Sequence, residues 1–272
     1  MELRRITSTQ NARVKAVVKL RDRRGRESQG RFIIDGLREL HRALAANVVL
    51  DEVFVGPAGL SVDSRSDLLD QIDSNNIPLT EVTLPVMEKI TYGQRGEGVV
   101  AVAQSYRREL SDLSLPHTPL VAVLVGVEKP GNIGAVARSA DAAGVSALVL
   151  VETPTDLFNP NVIRASIGTL FSLPVVKAGT DETIAWLKNK NLQIVTACVD
   201  AECVYTDSQL DLPTAIVLGS EDIGLSPRWQ SVGTVPVRLP MCGIADSLNV
   251  SVTAAVLFYE ALRQRTVAGQ SL

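Results

Sequence analysis

The sequence predicts an α/β protein with a C-terminal domain on a mostly parallel sheet and a smaller α/β domain in front of it. Three observations lead there. Residues 120–125, Leu-Val-Ala-Val-Leu-Val, form an unbroken apolar run, and similar runs recur at 147–151, 193–198, 215–218 and 235–239. Strands covered on both faces have this composition, and the helical patterns between them are those of a doubly wound sheet. From 105 to 118 the chain turns polar and charged, with Pro116 and Pro119 around His117, as a linker does. The expected division is therefore 1–105, a linker at 106–118, and 119–272.

In the first part a helix is expected over 11–20, a strand over 31–35 from the Phe32-Ile33-Ile34 run, and a helix over 37–46. A strand at 52–55, a helix at 66–75, a strand at 79–82, a helix at 85–90 and a strand at 98–103 complete a small α/β unit. In the second part helices are expected at 134–143 and 182–189, and a long one runs to about residue 265. Pro240 and Gly243 break the chain before that last helix, and Asp246 or Ser247 can cap it. Leu248, Val252, Ala255, Val256, Tyr259 and Leu262 recur at helical spacing, and Val250, Ala254, Leu257, Phe258 and Ala261 fill other faces. A helix apolar nearly all round is buried on more than one side.

The 272 residues are 46% hydrophobic and 21% charged, ordinary for a folded soluble chain. No apolar run reaches the length of a membrane span and the N-terminus lacks a signal-peptide pattern, so a cytoplasmic protein is expected. Three cysteines without CxxC spacing and two histidines support neither a disulfide framework nor a metal site. They leave little room for Ser-His-Asp chemistry as well. The net charge of −3 hides an asymmetry, because residues 1 to 31 carry ten Lys/Arg and three Asp/Glu. A basic end on an acidic body suits a polyanion. Lys15, Lys19, Arg23 and Arg26 would form one stripe on a helix and are the candidate RNA contacts, a solvated helix face being the alternative. Sparse aromatics favour backbone contacts over base stacking.

Ligands of doubly wound sheets bind outside the carboxyl ends of strands, and three loops there stand out. After the 120–126 strand comes Glu128-Lys129-Pro130-Gly131-Asn132-Ile133-Gly134, with Arg138 one helical turn further on the side of Gly134. A guanidinium there can clamp a phosphate or substrate, or form a surface ion pair. Neither Gly-x-Gly-x-x-Gly nor Gly-Lys-Ser/Thr is present. After the 215–218 strand, Gly219-Ser220-Glu221-Asp222-Ile223-Gly224 is an acidic, glycine-bounded loop that suits a hydroxyl-rich or cationic ligand. The third segment, Leu239-Pro240-Met241 through Ser247-Leu248-Asn249-Val250-Ser251, places Asn249, Ser251 and Thr253 at the start of the apolar terminal helix.

Asn-x-Gly-x-x-x-Arg, then Gly-Ser-Glu-x-x-Gly, then Leu-Pro-Met followed by Ser-Leu-Asn-Val-Ser closely resemble the three motifs of the SpoU (TrmH) family of RNA ribose 2′-O-methyltransferases, in the SPOUT superfamily. The likeness covers 120–265. Ile6-Thr7-Ser8 through Asp35-Gly36-Leu37-Arg38-Glu39 and the stretch ending Gly98-Val99-Val100-Ala101-Val102 resemble the family's N-terminal, L30e-like substrate-binding domain. Glu97-Gly98 departs from a frequent Gln-Gly. The resemblance implies a deep trefoil knot in the C-terminal domain, a homodimer, no metal, and S-adenosylmethionine in a pocket formed by Leu218, Gly219, Leu239, Met241, Ser247 and Leu248. It implies structured RNA, ribosomal first, as substrate, with Arg138 either removing the 2′-hydroxyl proton or clamping phosphate and developing alkoxide. Asn132, Glu221, Ser247 and Asn249 would position the ribose and the guanidinium. Transfer RNA as substrate, and a non-catalytic RNA-binding or ribosome-assembly role, stay open beside this reading.

Overall fold

The structure is a computed structural model and describes residues 4–93, 97–220 and 223–269. Two compact units emerge, one of residues 1–106 with 156–172 and one of 107–155 with 173–272.

The first unit carries β1 (Arg4–Ile6), α1 (Ala12–Lys19), α2 (Arg23–Gln29), β2 (Arg31–Asp35), α3 (Leu37–Ala45), β3 (Leu50–Val55), α4 (Val62–Ser74), β4 (Leu79–Val82), α5 (Leu84–Ile90) and β5 (Val99–Gln104). Its sheet has the order β1-β4-β3-β5-β2, with β5 antiparallel to both neighbours. Val14, Val17 and Leu20 bury one side of α1 against Phe54, Val100 and Val102 of the sheet and Val86, Met87 and Ile90 of α5. Asn11 caps α1 by accepting from the Arg13 amide at 2.9 Å. Two elements here were not expected: β1, only three residues long, and α2.

Because the chain breaks between Lys19 and Arg23, the anticipated basic stripe is split over two helices. Gly25 allows the sharp turn, since a Cβ there would lie 1.8 Å from the Lys19 carbonyl oxygen. Lys15 and Lys19 stay exposed, and Arg23 pairs with Glu27 at 2.6 Å. Arg26 corrects the expectation. It is 3% exposed, pairs with Asp156 at 2.6 Å, and donates to the carbonyls of Leu20 and Arg21, so it is committed to the interior.

The second unit begins within the stretch expected as linker. A 3-10 turn at Leu110–Asp112, closed by reciprocal Glu109 and Asp112 caps, delivers Leu110 and Leu113 to the unit's core, because two leucines supply apolar area that an open linker would leave in water. Then follow β6 (Leu120–Val125), α6 (Pro130–Ala142) and β7 (Ala147–Val151). Residues 156–172 fold with the first unit as α7 (Pro160–Ala165) and a 3-10 turn at Thr169–Phe171. There Phe158 stacks on Phe32 at 4.2 Å and meets the edge of Tyr106 at 5.0 Å. β8 (Val175–Ala178), α8 (Thr180–Asn189), β9 (Gln193–Ala197), β10 (Cys203–Val204), β11 (Thr214–Leu218), α9 (Pro227–Gln230), β12 (Val235–Arg238) and α10 (Val250–Val267) complete it.

The order of this sheet is β10-β12-β9-β11-β6-β7-β8, and every pairing is parallel. β6, β7 and β11 are buried at every residue, as their unalternating apolar sequences require. Val121, Val123 and Val125 join Val149, Val151, Val217 and Trp229 on one face. α10 packs against α6 and β11. Its cap is Asn249, not Asp246 or Ser247, because the Asn249 side chain accepts from the Ser251 amide at 3.0 Å. No helix among the described residues is long and apolar enough to cross a membrane.

Candidate active site

β6, β7 and β8 run outward in one direction and β9 and β12 lie on the other side, with β11 returning between β9 and β6. Strand order reverses there, and crevices open at the carboxyl ends of strands around such a reversal. A cavity of about 510 Å³ sits at the ends of β9, β11 and β12 and is closed by the first turn of α10. All three strands bring a loop to it.

Leu218, Gly219, Leu239, Met241, Ser247 and Leu248, drawn from two separate loops of the sequence, line this one cavity. Thr253 of α10, noted in the sequence at the start of the terminal helix, lines it too, whereas sequence reasoning missed Cys198, Val199 and Asp200, which follow β9. The strand-end rule was available for 193–198 and would have found that loop. Gly219 cannot carry a side chain, because a Cβ would come within 2.3 Å of the Gly224 backbone carbon as the loop folds back. Ser220 and Gly224 form an isolated bridge, and Ser220 Oγ accepts from the Ile223 amide at 3.3 Å. Glu221 lies outside the described residues.

The lining is apolar in its strands, with Asp200 and Asp246 at its edge and no lysine or arginine among the described residues. Such a cavity disfavours polyphosphate and accepts a cationic, flat ligand whose polar edge can meet backbone groups. A sulfonium-bearing adenosyl cofactor fits that description. Burial pushes the Cys198 thiol pKa up, which disfavours its thiolate.

Beside the cavity, two helices begin together. Asn249 Nδ2, at the cap of α10, donates to Asn132 Oδ1 in the first turn of α6 at 3.3 Å. Arg138, further along α6, is exposed and makes no hydrogen bond or ion pair among the described residues, so its guanidinium is available to an anion. Arg138, Asn132 and Asn249 do not line the cavity within the chain, whereas Ser247 does. No cluster of metal-ligating side chains occurs among the described residues.

An all-parallel sheet with an apolar, acid-edged cavity at its reversal, and an exposed arginine on the adjoining helix, makes an α/β protein with a strand-end ligand site suited to a cationic, nucleoside-derived group. Comparison with known proteins narrows this. Residues 119–259 match the SpoU rRNA Methylase family, and residues 11–101 match the MRM3-like substrate binding domain. A 23S rRNA (uridine(2479)-2′-O)-methyltransferase of Streptomyces viridochromogenes is 30% identical over 96% of this chain and 93% of its own. A crystal structure of an RNA 2′-O ribose methyltransferase is 42% identical, covers 96% of this chain and 99% of its own, and has a TM-score of 0.85. An AdoMet-bound rRNA methyltransferase from Sinorhizobium meliloti is 26% identical, covers 97% and 98%, and has a TM-score of 0.86. The chain belongs to the SpoU rRNA methylase family. It is an S-adenosylmethionine-dependent RNA ribose 2′-O-methyltransferase.

Proposed function

We propose that this chain methylates a ribose 2′-hydroxyl of ribosomal RNA, with its cofactor in the cavity at the ends of β9, β11 and β12. The convergence of Leu218, Gly219, Leu239, Met241, Ser247 and Leu248 on one acid-edged apolar cavity supports this most. The backbone beside Gly219 and Leu239 meets the adenine edge, which explains small or apolar side chains at these positions. When bound, S-adenosylmethionine supplies a methyl group already activated by its sulfonium.

The chain must handle a weakly acidic hydroxyl. Arg138, through its guanidinium, holds an RNA phosphate and stabilises negative charge developing on the ribose oxygen. Asn132, Glu221, Ser247 and Asn249 position the ribose and the guanidinium. Because Arg138 does not line its own chain's cavity, a second copy contributes it across a homodimer. Exposed Val252, Tyr259 and Ile244 offer the self-complementary apolar surface for that dimer. The last helix, α10, threads through a loop in a deep trefoil knot.

Ribosomal RNA is favoured by the family match and by the substrate-binding domain match in the first unit. The test is methyl transfer from labelled cofactor to unmodified 23S rRNA and, in parallel, to transfer RNA, followed by mapping of alkali-resistant ribose positions. Incorporation into the first supports the reading. Incorporation into transfer RNA alone replaces the substrate, and cofactor binding with no incorporation into either overturns the function.

A further inference from the structure

A second cavity, of about 230 Å³, lies wholly in the first unit between α1, α2 and the sheet. Its floor is apolar: Val17, Leu20, Phe54 and Val102 are all buried. Its rim is charged, with Arg4, Arg13 and Arg31 facing Asp51 and Glu52. Asp51 pairs with Arg31 at 2.6 Å. Glu52 Oε1 accepts from both Arg13 and Thr80, which leaves Oε2 without a hydrogen bond among the described residues. The Arg13 guanidinium also stands 6.0 Å from the Phe54 ring centroid. Arg4 is exposed and has no partner among the described residues.

The size falls below the ~300–1,000 Å³ of pockets for drug-sized ligands, so the site suits one planar ring system. Glu52 and Asp51 already take up Arg13 and Arg31, so neither guanidinium is left to draw a phosphate into the interior. Phosphates nevertheless have a place next door, because Lys15 and Lys19 are exposed on α1, whose Ala16 and Val17 wall the cavity. A ring with apolar faces and a polar edge, attached to a chain of phosphates, is an unpaired nucleotide. Proteins read single-stranded RNA by placing such bases against aromatic or guanidinium planes and bonding their edges.

We propose that this cavity receives one unpaired nucleobase of the RNA substrate, its flanking phosphates on Lys15 and Lys19, with the free oxygen of Glu52 selecting bases that carry an exocyclic amino group. This rests on RNA being the substrate and adds a recognition site outside the methyl-transfer cavity.

Short oligo-cytidine and oligo-uridine of equal length carry the same charge, so their difference in affinity isolates base recognition. Wild-type protein is expected to bind oligo-cytidine about tenfold more tightly, the low end of a specific base contact. Ala16→Phe fills the cavity from its wall, and Glu52→Gln keeps shape while removing the carboxylate. Each is expected to abolish the preference and to raise KM for 23S rRNA about tenfold, with kcat and cofactor affinity unchanged. Circular dichroism and melting identify which variants are folded, and retention of the preference by any folded one overturns the proposal, as does its absence in the wild type. Wild-type preference without methyl transfer would instead sink the enzymatic reading and leave the base site standing.

Discussion

Asn249 and Asn132 are 117 positions apart in the chain, yet the Asn249 side-chain amide donates to Asn132 Oδ1 at 3.3 Å. The two groups of Asn249 do different work. Its oxygen accepts from the Ser251 amide at 3.0 Å and the Ser251 hydroxyl at 2.6 Å, which caps the start of the helix, and its nitrogen reaches across to α6. One side chain thus caps α10 and registers it against the helix carrying Arg138.

Asn249→Asp separates those roles. Aspartate retains the capping oxygen and gains from the helix dipole, but it sets two acceptors against each other at Asn132. Melting should stay within a few degrees of wild type while methyl transfer falls at least tenfold. Asn249→Ala should lose about 1 kcal/mol of stability as well. Equal activity for wild type and Asn249→Asp would show that the amide bridge has no part in turnover.

Arg138→Ala should leave cofactor affinity unchanged by calorimetry and reduce methyl transfer about 10²–10³-fold, the range for losing one group that stabilises a developing oxyanion. Arg138→Lys should recover little, since an ammonium lacks the planar fork. Undiminished transfer in either variant removes Arg138 from the reaction.

Arg265 anchors the other end of α10. It is 8% exposed and donates to the carbonyls of Leu210, Thr118, Pro119 and Leu212 at 3.1, 2.7, 3.0 and 2.8 Å. Burial draws its pKa below the ordinary arginine value. Arg265→Ala strands four carbonyls and should destabilise by about 3–5 kcal/mol. Arg265→Lys, with three donors in place of five, should fall between. Denaturant unfolding measures both, and a loss under about 1 kcal/mol for alanine would mean water replaces the guanidinium.

Much of this was legible before any coordinates. The strands at Leu120–Val125 and Ala147–Val151 coincide with their apolar runs, and Arg31–Asp35 and Leu79–Val82 coincide with the expected bounds. Long apolar runs fix strands because burial on both faces leaves no other use for them. β1 and β10 escaped because two or three residues carry no period. Arg26 was misplaced for a different reason: its partner, Asp156, lies 130 positions away, and no local pattern announces a buried ion pair. The cavity's glycine, proline and serine loops were readable from their breakers, whereas the Asp200 loop, with nothing near it that breaks or repeats, could be found only by its place after the 193–198 strand.

Asp35 should make stability depend on pH. Burial pushes its pKa up to about 6, partly offset by a hydrogen bond from the Tyr92 amide, with Arg164 opposing and Glu97 and Glu39 adding to the rise. A carboxyl raised from about 3.8 in the unfolded chain favours the folded state fully below that pH and loses the contribution as pH climbs through about 6. Asp35→Asn keeps an acceptor for Tyr92 and removes the titration. The variant should therefore gain on wild type between pH 4 and 7 by about 3 kcal/mol, an order-of-magnitude figure from the shift, as followed by urea unfolding. A constant difference across that range would place the titration elsewhere.

Lys15 and Lys19 on the one hand, and Arg26 on the other, should fail in opposite ways. Neutralising both exposed lysines should weaken binding to 23S rRNA and lower the slope of log K against log salt by about 1.4 to 1.8, two released counterions, without moving the melting temperature. Arg26→Gln leaves Asp156 without its ion-pair partner and should cost about 3–5 kcal/mol of stability, because the Asp156 side chain is only 20% exposed and water cannot fully replace the guanidinium. At temperatures where that variant remains folded, its salt slope should match wild type. A reduced slope for Arg26→Gln at full stability would mean the guanidinium leaves its pair to meet phosphate, and the basic surface would have to be redrawn around it.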